Sequence, residues 1–135
     1  MVFQRAGARY EVTHLIGFSS GEGQGFDVLV AAVSTPAPMP VLELAFGEYP
    51  RPGDPLLLIG YGRTALMMRV GPLRGYDERE RLEVEGFAGP GNSGGPLLIP
   101  GTRRVVGIAV ESAVDLPAWA SPMHVASLIS RTSVH

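Results

Sequence analysis

The chain has no cysteine and no lysine: all 11 basic residues among its 135 are arginine. Without thiols there is no disulfide framework and no thiolate nucleophile. Three histidines, His14, His124 and His135, are too scattered to hold a metal, so no metal site is expected. The missing lysine removes a serine–lysine dyad, one of the few arrangements in which a serine works as a nucleophile without histidine. There is no basic run and the net charge is −2, which leaves no electrostatic footprint for nucleic acid or an anionic membrane surface. No stretch approaches the roughly 20 consecutive apolar residues of a membrane-spanning helix, and the first residues do not read as a signal peptide. The compartment is left unassigned.

What is present is a turn-rich, apolar chain: 45% hydrophobic residues with 18 Gly and 12 Pro, which points to many short strands and an all-β class. The length suits one compact unit or two small halves. Arg9 to Gly17 and Phe26 to Val33 read as strands around a glycine-rich loop, and Val41 to Ala45 alternates like another. Phe46 to Gly53, with two prolines and two glycines, reads as the linker between a first part, 1–48, and a second, 49–135. Beyond it six strands are expected, at Pro55–Gly60, Ala65–Val70, Arg81–Gly86, Pro96–Ile99, Arg104–Val110 and Ala118–Ser121. Leu82 and Val84 point inward in the third of them. Pro122 to Ile129 has proline in a first-turn position and Met123, Ala126 and Ile129 on one face, the pattern of a short terminal helix.

The chemistry centres on Gly89-Pro90-Gly91-Asn92-Ser93-Gly94-Gly95-Pro96-Leu97-Leu98. A serine between glycines suits a tight turn that presents a hydroxyl while backbone N–H groups converge on one point. That is what an activated nucleophile beside an oxyanion hole requires. The stretch resembles the nucleophile signature of the trypsin-like (chymotrypsin-fold) serine proteases, in particular bacterial members with Asn before the serine. Phe26-Asp27-Val28-Leu29-Val30 resembles the same family's aspartate strand, and Pro52 to Gly60 and Val106 to Val110 resemble further segments of its second barrel. The resemblance covers essentially the whole chain. It implies a double β-barrel with an incomplete first barrel, a six-stranded second barrel and a closing helix. It also implies a peptide-hydrolysing enzyme that needs no metal or cofactor, acts on polypeptides and uses Ser93 as nucleophile with Asp27 as the orienting carboxylate. The backbone N–H groups of Gly91 and Ser93 would form the oxyanion hole.

A serine hydroxyl needs a general base, and the family's histidine lies on a first-barrel loop well before the aspartate. Here only 26 residues precede Asp27, and His14 falls in the strand that resembles the one just before the aspartate loop, where a solvent-facing residue is expected. His124 and His135 lie at the far end. The first half therefore reads as truncated. Three accounts compete: the record begins late, another chain supplies the missing strands, or the protein is a non-catalytic relative that binds peptide without cutting it. A half barrel also leaves edges and apolar faces through which copies would associate.

In the family, the floor of the specificity pocket lies six residues before the nucleophile, at Phe87 here, with Ala88 beside it. The walls would be Val110, Glu111, Ser112 and Trp119. Without a carboxylate on the Phe87 segment, cleavage after Arg or Lys is disfavoured and a small aliphatic residue is expected. The backbone from Val110 to Ser112 would pair with an extended substrate as an added strand.

Overall fold

The computed structural model describes residues 2–5, 8–19, 28–34, 40–62, 65–85, 93–111 and 118–122. Strands alone make up the regular structure of these residues: β1 (Val2–Arg5), β2 (Ala8–Ser19), β3 (Val28–Val33), β4 (Glu43–Leu44), β5 (Pro55–Gly62), β6 (Ala65–Tyr76), β7 (Leu82–Val84), β8 (Pro96–Leu98), β9 (Arg104–Glu111) and β10 (Ala118–Pro122). The helix expected over Pro122–Ile129 lies outside the described residues, except that Pro122 itself ends β10 opposite Gly107.

The later strands hydrogen-bond in the order β10-β7-β6-β5-β8-β9, and β9 pairs again with β10, closing a six-stranded ring. Closure leaves no free edge in the ring. The alternation read from the sequence does what it should. Leu82 and Val84 of β7 are each 1% exposed, while Glu85 beyond them faces solvent. In β5, Leu56 and Leu58 turn into the ring, and Leu57 and Ile59 turn outward. Leu58 lies opposite Leu97, which is fully buried. Each such leucine contributes about 2 kcal/mol relative to leaving it in water.

The outward residues form a second, partly covered layer. Val70, Leu57, Leu98 and Val105 stand in one row across four strands. Leu98 and Val105 are buried there with Leu57, Ile59 and Ile108 against them, whereas Leu66, Met68 and Val70 of β6 are exposed.

Two strands differ from their sequence reading. β6 runs on to Tyr76 instead of stopping at Val70, because Gly71-Pro72 does not break it: Pro72 lies opposite Pro55, and its carbonyl accepts the Glu85 N–H. Val41–Ala45 contracts to the two residues of β4, which pairs in parallel with β9, Glu43 opposite Arg104. Alternation alone does not say which sheet a strand joins. β4 takes the part of the β9 edge that β10 leaves open, and Ala45 follows it into the ring's core, donating its N–H to the Val105 carbonyl. The chain then crosses that end of the ring, where the Tyr76 hydroxyl donates to the Pro50 carbonyl at 2.8 Å.

β1, β2 and β3 form a separate antiparallel sheet in that order. β1 was not anticipated from the sequence. β2 carries bulges at Thr13 and Ile16 against β3. Tyr10 and Val28 are buried, but Leu15, Phe18 and Leu29 are exposed, with Phe18 directly opposite Leu29.

Candidate active site

Ser93 and Gly94 form the turn that leads into β8. Gly94 has φ +86°, a left-handed conformation that any side chain strains, and an added Cβ would meet nothing within 4 Å. The glycine is thus required by backbone conformation and not by crowding. Two main-chain bonds fasten the turn to β9: Gly94 N–H donates to the Ala109 carbonyl at 2.7 Å, and Ala109 N–H donates to the Gly95 carbonyl at 2.9 Å. Pro96, without an N–H, opens β8 at a position where a strand tolerates it.

Ser93 is exposed, and its Oγ donates to the Val110 carbonyl at 2.7 Å. A neutral carbonyl accepts a hydrogen bond but no proton, so this contact orients the hydroxyl without activating it. Val110 itself is half-buried on β9. Its expected role was a pocket wall, and no sequence signal marked its carbonyl as the partner of Ser93.

Of the other expected site residues, the backbones of Glu111 and Trp119 are brought together, opposite each other across β9 and β10. Asp27, Phe87, Ala88, Gly91 and Ser112 lie outside the described residues, as do His124 and His135; β3 begins at Val28, the residue after Asp27. His14 is exposed on β2 opposite Ala32, and its ring Nδ1 lies 3.4 Å from the Thr13 hydroxyl. The position agrees with a solvent-facing strand histidine.

Two clefts among the described residues lie away from Ser93. One is bounded by Tyr49, Tyr76, Glu80 and Pro122, the other by Glu48, Tyr49, Asp54 and Ile99 among others. These residues gather where β6 and β10 end and β5 begins, whereas Ser93 is tied to the C-terminal end of β9. In an antiparallel ring those are opposite ends. Burial, with the charges of Tyr49 and Asp54 adding to it, pushes the Tyr76 phenol above its ordinary pKa, so it remains a donor to Pro50. Among the described residues no cluster of His, Asp and Glu could hold a metal ion.

A closed six-stranded ring, a Ser93-Gly94-Gly95 turn bonded to its strand β9 and a second antiparallel sheet upstream define a class. The chain belongs to the trypsin-like peptidase domain family, whose model matches residues 2–108. Its fold is similar to the crystal structure of a serine endoprotease from Yersinia pestis, with a TM-score of 0.74 and 21% identity over 95% of this chain and 46% of that one. At that identity the likeness is one of fold, and the chain spans about half the length of that solved protein. No curated protein matches the chain in sequence.

Proposed function

We propose that the chain is a serine-type endopeptidase that hydrolyses peptide bonds through an acyl-enzyme on Ser93. The observation that carries this is the turn itself: an exposed serine followed by a left-handed glycine, held by two main-chain bonds to β9. A turn so fastened keeps its backbone donors in place as charge develops on the substrate carbonyl. In this reading Ser93 attacks the scissile carbonyl and the N–H groups of Gly91 and Ser93 receive the oxyanion. One such donor contributes on the order of 3 kcal/mol of transition-state stabilisation. Asp27 orients the imidazole that serves as base, and water then releases the acyl group. Phe87, Ala88, Val110, Glu111, Ser112 and Trp119 shape a shallow pocket for a small aliphatic residue. Residues 1–48 form the aspartate-bearing half and 49–135 the nucleophile-bearing half.

One observation favours a second reading, a peptide-binding module of the same fold without turnover: the Ser93 hydroxyl donates to a carbonyl that cannot serve as a base. A fluorophosphonate probe applied to the intact chain separates the two. Covalent labelling that disappears in Ser93→Ala supports the peptidase. A folded wild-type chain that takes up no label supports the binding module.

A further inference from the structure

β9 departs from regular pairing at Val110. Across β9 and β10, Trp119 faces Glu111 and the next residue, Ala120, faces Ala109, so Val110 is one extra residue, a β-bulge. In a regular antiparallel strand the main-chain groups of successive residues turn to alternate neighbours. Ala109 uses both its N–H and its carbonyl on the serine turn, through Gly95 and Gly94. An unbulged Val110 would therefore aim its carbonyl the other way, toward β10. Its carbonyl instead accepts the Ser93 hydroxyl at 2.7 Å.

We infer that Val110 is a positioning residue for Ser93. The bulge turns its carbonyl into the acceptor that holds the hydroxyl in the resting chain, and Ser93 must leave that acceptor before it attacks a substrate. This rests on Ser93 being the nucleophile, as proposed above. The role belongs to the backbone and not to the valine side chain, so it depends on the pairing offset between Trp119 and Ala120 and not on a residue type at position 110.

The test uses the full chain with carbonyl-labelled valine and amide-labelled glutamate. The sequence holds two Val-Glu pairs, Val84-Glu85 and Val110-Glu111, so a carbonyl-to-amide NMR correlation gives two peaks, the first serving as an internal reference. Ser93→Ala is expected to move the Val110 carbonyl peak upfield and leave the Val84 peak in place, and Ser93→Thr, which keeps a hydroxyl, to restore much of the shift. A Val110 peak that ignores Ser93→Ala overturns the proposal. Fluorophosphonate labelling tells the two readings apart. A Val110 peak that ignores Ser93→Ala in a chain that labels overturns the proposal and leaves the nucleophile reading standing, whereas no labelling removes the nucleophile reading and the Val110 peak then decides the contact by itself.

Discussion

The ring of β5 to β10 and the sheet of β1 to β3 are built from the same kinds of residue, yet they end in opposite states. In the ring, Leu56, Leu58, Leu73, Leu82, Val84 and Leu97 are all less than 2% exposed. In the small sheet, Phe18 is 65% and Leu29 55% exposed, although both lie in well-paired strands. The difference is closure. Six strands that return on themselves enclose one face completely, whereas three strands in an open sheet do not enclose a face by themselves. Local strand propensity is therefore satisfied in both regions, whereas burial is extensive in the ring and, among the described residues of the small sheet, reaches Tyr10 and Val28. The serine turn is fastened to the region that has closed, and Asp27 immediately precedes a strand of the region that has not.

The largest effect should come from cutting into the enclosed face. Leu97→Ala removes a fully buried side chain between Leu58 and Gly107, and it should cost about 2–5 kcal/mol, read as a lower urea midpoint with an unchanged slope. Phe18→Ala, although it deletes a larger side chain, should change the midpoint by about 0.5 kcal/mol or less. Equal losses in the two variants would mean that Phe18 is covered in solution and that the contrast between the regions is false.

Next in size is the β6–β7 turn, which holds the ring at the end away from Ser93. Asp77 Oδ1 accepts the N–H groups of Arg79 and Arg81 at 2.8 and 2.9 Å, and Oδ2 accepts from the Arg81 guanidinium. Burial pushes this carboxyl up, but the bonds from the Arg81 backbone, the Arg81 side chain and the Arg79 backbone outweigh it and hold the pKa below its ordinary value. A carboxylate with a depressed folded pKa contributes stability that is fully present above its unfolded value, about 3.9, and that fades as pH falls through the folded one. Asp77→Asn keeps an acceptor for the two backbone donors but loses the charge. It should cost about 1.5–3 kcal/mol at pH 7, and its deficit against the wild type should shrink as pH drops below about 4. A deficit that is the same at pH 7 and pH 3 would remove the carboxylate charge from the account.

Much of this contrast was legible in the residues. The six strands of the ring, the inward set Leu82 and Val84 and the turn at Ser93 all follow from alternation and glycine placement, which are local properties. Three features were not legible, for related reasons. β1 is four residues whose strand character rests on pairing with β2, from Val2–Glu11 to Arg5–Ala8. β4 has a strand-like pattern but no local sign that it joins β9 in parallel. The bulge at Val110 is a mismatch in count between two strands, and neither strand shows it alone. Pairing partners and register are nonlocal, and the orientation of the candidate nucleophile turned out to depend on one of them.

Two glycines make the next comparison sharper. Gly94 and Gly101 both have left-handed φ, +86° and +77°, and at both an added Cβ has open space. Alanine at either should cost about 1 kcal/mol from backbone strain alone. Gly101 sits in the β8–β9 turn, whereas Gly94 N–H bonds to Ala109 and fixes the residue beside Ser93. Gly94→Ala should therefore lower the rate of fluorophosphonate labelling at Ser93 as well as stability, and Gly101→Ala should lower stability only. Parallel losses of labelling in the two variants would show that the turn has no special coupling to the serine.

The smallest expected change in stability belongs to the face that closure never reached. Phe18 and Leu29 stand side by side across β2 and β3, and Leu15 lies opposite Ala31 two positions along β3. Together they form an exposed apolar patch on a sheet whose outer strands, among the described residues, have one partner each. Such a patch costs little in the monomer and gives copies of the chain a reason to associate. Phe18→Ser with Leu29→Ser should leave the urea midpoint within about 0.5 kcal/mol of the wild type. If copies of the chain associate through this face, sedimentation equilibrium should show the double variant more monomeric than the wild type at the same concentration. Lost folding in the double variant would mean the face is buried after all. Unchanged association would place the contact elsewhere, with the exposed row Leu66, Met68 and Val70 on β6 the next face to alter.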